Sequence, residues 1–243
     1  LDLSIIDELP EGRKEIITKI VAPENRIKAY DFIKGQVEKG RQVFVICPRI
    51  DPAINDKLLS TREQKLWEVK SVKEEYEKLS KKNFPEFKVN MLHGQLKPKE
   101  KEEVMSRFKD GKIQILISTS VVEVGVDVPN ATIMMIEGAD RFGLSQLYQF
   151  RGRVGRGKFQ SFCFLFTYSE SKTVEERLKA LINAKNGFEL AEMDLKFRGP
   201  GEFLGRSQTG MPDVAMKGLQ NPNLVKASRE AAEQIIKSDL FFK

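Results

Sequence analysis

Three arginines spaced by glycines, Arg151, Arg153 and Arg156 in the run RGRVGRG, are the residues of this chain best suited to chemistry. Arginine is permanently charged and offers a planar fork of donors, which suits the charge that builds on a transferring phosphoryl group. Gly152, Gly155 and Gly157 let the backbone leave a helix abruptly. The three guanidiniums are therefore expected to project together instead of spreading around a helix. The same residues also fit a plain structural role, a basic helix end that complements its own macrodipole. A second stretch, Ile117 to Ala131 (ISTSVVEVGVDVPNA), runs from an apolar strand into Ser118, Thr119 and Ser120. Such small hydroxyls accompany backbone amides in contacting phosphates. Gly125 then permits a turn and Asp127 supplies a fixed carboxylate, although a Ser/Thr turn with a helix N-cap reads the same letters without a ligand. A third stretch, His93-Gly94, ends a strand and enters a helix, and His93 by itself equally reads as a structural or capping histidine.

Other chemistries find no support. The run GRVGRGKF (152 to 159) follows the phosphate-binding pattern GxxxxGK[ST] through its lysine, but Phe159 stands where the Mg²⁺-binding hydroxyl belongs. It also follows a helix and precedes a strand, the reverse of the required order. The run at 35 to 42 fails in the same way. His93 is the single histidine, so no metal site or triad built on histidines is expected. Cys47 and Cys163 lie in separate apolar runs without a CxxC, which reads as two buried reduced thiols and a cytoplasmic setting. No apolar run approaches the roughly 18 residues of a membrane span. The net charge of +6, from 41 basic and 35 acidic residues, is compatible with a polyanionic partner. Residues 1–13, with Asp7-Glu8 followed by Pro10, read as a linker and not as a Mg²⁺-holding pair. The chain starts at Leu1 and not at Met, which suggests part of a longer protein.

The elements that must position these groups alternate. Strands are expected at 14–22, 42–48, 87–93, 112–119, 131–138 and 160–168, and helices at 24–39, 63–80, 97–109 and 143–154. Short apolar strands separated by helices argue for a parallel sheet covered on both faces. Ligands of such sheets sit at the carboxyl ends of the strands, where HG, STS and the arginine cluster are all expected. Beyond residue 168 the pattern changes to helices at 172–185 and 188–197, a Gly/Pro-rich loop at 198–213, and a last helix at about 223–238.

In order and spacing, LHG, a helix ending in RF, ILISTSVVEVGVDVP and QLYQFRGRVGR resemble the second RecA-like motor domain of superfamily 2 helicases, over about residues 14–168. The tail GFELAEMDLKFRGPGEFLGRSQTG (187 to 210) is similar to the helical hairpin and loop shared by RecG-like DNA helicases and the transcription-repair coupling translocase Mfd, and RGPGEFLG lies closer to the RecG side. Tyr148 stands where a histidine is common. The resemblance implies an α/β RecA-like domain, then a hairpin, translocation loop and C-terminal helix over 169–243. It implies that ATP and Mg²⁺ are held mainly by an upstream RecA-like domain. Arg153 and Arg156 match its arginine fingers, Gln149 its nucleotide-sensing glutamine, and Gly125 and Asp127 its ATP-contacting or coupling positions. Ser118, Thr119, Ser120, His93 and Gly94 match DNA contacts, and Arg198 and Gln208 the translocation loop. The implied partners are branched double-stranded DNA and the upstream RecA-like and wedge domains. The implied activity is ATP-driven remodelling of forked or Holliday-junction DNA, with this chain inactive alone. Two alternatives stay open: the equivalent domain of Mfd, and a non-motor nucleic-acid-binding module that keeps the RecA-like shell.

Overall fold

The computed structural model describes residues 14–48, 61–119, 128–169, 171–184, 187–198 and 222–237. Six parallel strands form one sheet: β1 (Ile17–Val21), β2 (Gln42–Cys47), β3 (Val89–Leu92), β4 (Ile115–Thr119), β5 (Ala131–Ile136) and β6 (Phe162–Phe166). Their spatial order is β1-β6-β5-β2-β4-β3. Every residue of β2, β4 and β5 is buried, as their mainly apolar runs suit for strands covered on two faces.

On one face, α1 (Arg26–Glu38) and α2 (Thr61–Lys78) cover the sheet. Tyr30, Ile33 and Val37 of α1 and Val72 of α2 share a buried cluster with Val43, Val45, Ile115, Ile117, Ile133 and Phe166. Gly40, at φ +80°, ends α1 and donates its amide to the Val37 carbonyl at 2.8 Å, the left-handed stop that glycine supplies. The charged helix expected at 63–80 runs on into a π turn, Leu79–Asn83. The wider turn delivers Phe84, fully buried, edge-on to Tyr30 with ring centroids 5.6 Å apart.

The opposite face carries α3 (Pro98–Lys109), α4 (Leu144–Arg151) and α5 (Lys172–Asn183). Phe108 of α3 meets Phe44 of β2 at 4.8 Å, and α5 packs on α4 and β1. α3 begins with Pro98 in its first turn, and the Glu100 carboxylate accepts the Lys97 amide at 2.7 Å, a local start signal written in the sequence. Two further helices, α6 (Gly187–Arg198) and α7 (Pro222–Lys237), follow. Internal contacts divide the chain into Leu1–Gly187 and Phe188–Lys243, so α5 belongs with the sheet. The described side chains of α7, residues 226–234, are exposed.

Candidate functional site

A parallel sheet has two unlike rims: one where all strands begin, the amino rim, and one where all end, the carboxyl rim. α4 starts from the carboxyl rim after β5 and runs back to the start of β6. Leu144 and Leu147 bury its inner face, and the Gln146 side chain accepts the Gly143 amide at 3.3 Å. The helix closes at Arg151, three residues before the end expected from periodicity, where Gly152 and Arg153 donate to the Tyr148 and Phe150 carbonyls, each at 3.0 Å.

Past that point the chain makes a seated turn. Val154 is fully buried. Gly155 takes φ +79°, and a Cβ there would stand 3.0 Å from Ile16 Cγ1, at the start of β1. Gly157 lies so close to Pro129 that a Cβ would overlap the Pro129 carbonyl oxygen. Between these anchors Arg153 is half-buried and Arg156 exposed. Among the described residues neither guanidinium forms a hydrogen bond or ion pair. Two uncommitted guanidiniums on a fixed turn can take a phosphate without first breaking an internal contact. Gln149 is exposed on α4.

Two expectations need correction. The arginine cluster does not lie at the carboxyl rim with HG and STS: Gly155 against Ile16 and Gly157 against Pro129 place it at the amino rim. The helix that carries it has crossed the sheet from β5 to the start of β6. Arg151 does not project with its two neighbours either. Its Nη1 donates to the Leu181 carbonyl of α5 at 2.8 Å, and its guanidinium lies 4.7 Å from the Tyr148 ring centroid. Arg151 therefore ties α4 to α5. Arg177 of α5 makes the reciprocal tie, donating to the Phe142 and Asp140 carbonyls at 2.9 and 2.6 Å, just ahead of α4.

At the carboxyl rim Gly94 is exposed in the turn after β3, and the buried His93 accepts the Leu96 amide on its carbonyl at 3.2 Å. Ser118 and Thr119 are 1% and 0% exposed, because β4 lies inside the sheet between β2 and β3. Both were expected to contact the DNA backbone, and both are enclosed at the end of β4. Ser120, Gly125, Asp127 and Gln208 lie outside the described residues, as do the linker 1–13 and the Arg198 side chain. The segment 120–130 nevertheless has fixed ends: it leaves the carboxyl rim at Thr119 and reaches the amino rim at Ala131.

The sequence reading missed a charged cluster at the carboxyl rim. Glu137, directly after β5, is 2% exposed. Arg26 pairs with it through two 3.0 Å hydrogen bonds, Tyr168 donates to it at 3.2 Å, and Lys78 lies 3.6 Å away. Burial alone would lower the Arg26 pKa, but the bonds to Glu137 and its charge more than reverse this. Burial, reinforced by Glu137, pushes the neighbouring Glu75 carboxyl up to about 6. The available signal was an acidic residue closing the apolar run ATIMMIE. Among the described residues no group of three His, Cys, Asp or Glu side chains converges on a metal site. No described helix is long and apolar enough to cross a membrane.

Comparison with known proteins bears on this arrangement. The model of the helicase conserved C-terminal domain matches residues 24–158. The model described as ATP-dependent DNA helicase RecG, domain 3, C-terminal, matches residues 184–243. The ATP-dependent DNA helicase RecG of Synechocystis sp. is 45% identical over 98% of this chain and 28% of its own length. That of Bacillus subtilis is 43% identical over 100% of this chain and 34% of its own. A solved structure of RecG bound to a three-way DNA junction is similar with a TM-score of 0.64 and 40% identity, covering 86% of this chain and 26% of that one. The chain thus spans about a third or less of the length of these relatives.

Proposed function

The chain belongs to the helicase conserved C-terminal domain family and carries the RecG-type C-terminal segment, and from that premise we propose that it is the second motor half of an ATP-dependent DNA helicase that remodels branched DNA. The observation that carries the proposal is the finger turn: Arg153 and Arg156 stand on a turn seated on Ile16 and Pro129, with no internal partner among the described residues. ATP is the substrate whose hydrolysis drives the motor, and the charge that grows on its terminal phosphate is what the two guanidiniums would face. The nucleotide and Mg²⁺ would be held by an upstream RecA-like domain, so the fingers act across the cleft. Gln149, exposed on the same helix, is proposed to sense the nucleotide, with Gly125 and Asp127.

DNA is proposed to run along the carboxyl rim, contacted at Gly94, at Ser120 and through the strand ends beside the buried Ser118, Thr119 and His93. Arg198 and Gln208 are proposed to belong to the translocation loop. Segment 120–130 then connects the two rims, which is the route by which nucleotide state would reach the DNA. The matches carry the RecG reading and lend the Mfd alternative no support.

The test is ATPase activity with branched DNA for this chain alone, for the chain mixed with the upstream motor domain, and for the same mixture with Arg153→Ala. Silence alone, turnover on mixing and a loss of about 10³-fold or more in the variant are expected. Turnover by the chain alone refutes the division of labour, and an active Arg153→Ala mixture removes the finger.

A further inference from the structure

We propose that Phe159 is the stacking surface for the purine base of the nucleotide whose terminal phosphate Arg153 and Arg156 face; this rests on the motor reading above and deepens it. Phe159 is 36% exposed, among the few large apolar side chains in the described residues left open to solvent. It is also unusually well held. The Arg41 guanidinium carbon lies 3.2 Å from the ring centroid, and Arg41 Nη1 donates to Asn130 Oδ1 at 3.2 Å. Asn130 is fixed in turn: its Nδ2 donates to the Gly40 carbonyl at 2.6 Å, and its own carbonyl accepts the Gln42 amide at 3.0 Å. The starts of β2 and β5 thus jointly hold the guanidinium against the ring. Lys158 Nζ lies 5.6 Å from the same centroid, adding positive charge where a polyphosphate would pass.

The location favours a nucleotide. Phe159 follows the finger Arg156 by three residues, a step that reaches at most about 10 Å, the scale that separates a nucleotide's phosphates from its base. Pro129 and Asn130 lie between: Gly157 of the finger turn packs on Pro129, and Asn130 binds Arg41. Along the amino rim the order is therefore fingers, Pro129-Asn130, then Arg41 with Phe159. Asp127, proposed above to contact ATP, precedes Pro129 by two residues in the chain. An aromatic face carrying a guanidinium is a surface on which a base stacks through its π face. An unpaired DNA base would find the same chemistry, but the proposed DNA contacts occupy the opposite rim, so the base assigned here is that of ATP.

The experiment measures DNA-stimulated ATPase activity of this chain combined with the upstream motor domain, in wild type, Phe159→Ala and Phe159→Trp, with tripolyphosphate as a competitive inhibitor that has no base. Loss of one stacked base, about 1–3 kcal/mol, converts to a KM for ATP raised about 5- to 150-fold in Phe159→Ala. The expected kcat stays within about two-fold, as for loss of uniform binding. Phe159→Trp keeps the wild-type KM, and tripolyphosphate inhibits all three forms equally. An unchanged KM in Phe159→Ala overturns the proposal. A rise in the DNA concentration needed for stimulation in place of a rise in KM also overturns it, in favour of a DNA base. Weakened tripolyphosphate inhibition in Phe159→Ala overturns it as well, because the ring would then only be shaping the finger turn. If the wild-type combination hydrolyses no ATP, the motor reading fails first, and that outcome is distinct from the other three.

Discussion

Replacing Gly157 by alanine inserts one methyl group between the finger turn and the carbonyl of Pro129. The added Cβ overlaps the Pro129 carbonyl oxygen and stands 3.2 Å from its carbonyl carbon. The obstacle is backbone, so the turn must give, by roughly 1 Å to restore an ordinary contact. A displacement of about 1 Å in a catalytic group costs on the order of 10²-fold in rate. The expectation is a kcat lowered about 100-fold with the KM for ATP little changed, in the ATPase of the chain mixed with the upstream motor domain. Two companion variants make the argument specific. At Gly152, in ordinary helical backbone with its nearest atoms 3.5 Å from a Cβ, alanine is expected to be silent in rate and neutral or slightly stabilising. At Gly155, alanine meets φ +79° and Ile16 Cγ1 at 3.0 Å, costing about 1–2 kcal/mol of stability from the left-handed backbone alone. If Gly157→Ala kept a kcat within three-fold of wild type, the seat on Pro129 would not be what places the fingers.

Three further outcomes follow from the buried groups. Arg26→Ala leaves Glu137, its side chain 3% exposed, with Lys78 as its remaining cationic partner; urea unfolding should show a loss of about 3 kcal/mol, and a loss below 1 kcal/mol would contradict the pairing described. The Glu75 carboxyl is raised by burial from 4.5 to about 6, so between those values the folded chain keeps a proton that the unfolded chain has released. Stability should therefore decline by about 1–2 kcal/mol as pH rises through that window and level off above it. Thermal melts of Glu75→Gln should lack this decline, and a slope equal to wild type would assign it elsewhere. Burial raises the Cys163 thiol to about 12 and Cys47 well above its usual range, so a thiol reagent at neutral pH should label neither until the chain unfolds.

The strands and most helices were legible because each carries a plain local signal, an apolar run for β2, β4 and β5, or Pro98 and Glu100 opening α3. The finger motif was legible as chemistry but was given to the wrong rim. The rule that ligands favour strand carboxyl ends says nothing about a group that rides a helix back to the start of the next strand, although the order strand, helix, arginines, strand contained the answer. The three arginines look equivalent in sequence; only the carbonyl that α5 presents at Leu181 sets Arg151 apart from its neighbours. The burial of Ser118 and Thr119 was not legible because strand order is not written locally: it takes β2 and β3 on either side to set β4 inside the sheet. Glu137 was passed over for the same reason, since its partners Arg26 and Lys78 come from distant parts of the chain.

The first strand of the sheet pairs with the last. Ile17 lies beside Phe162, so as the chain leaves the ribosome β1 waits, unpartnered on that side, until the finger turn itself has been made. The turn then closes against that same strand, Gly155 on Ile16. Such long-range pairing is slow to form. It places the turn that carries Arg153 and Arg156 among the later features of the sheet domain to acquire their shape, so a product truncated before β6 would lack the proposed fingers in their seat.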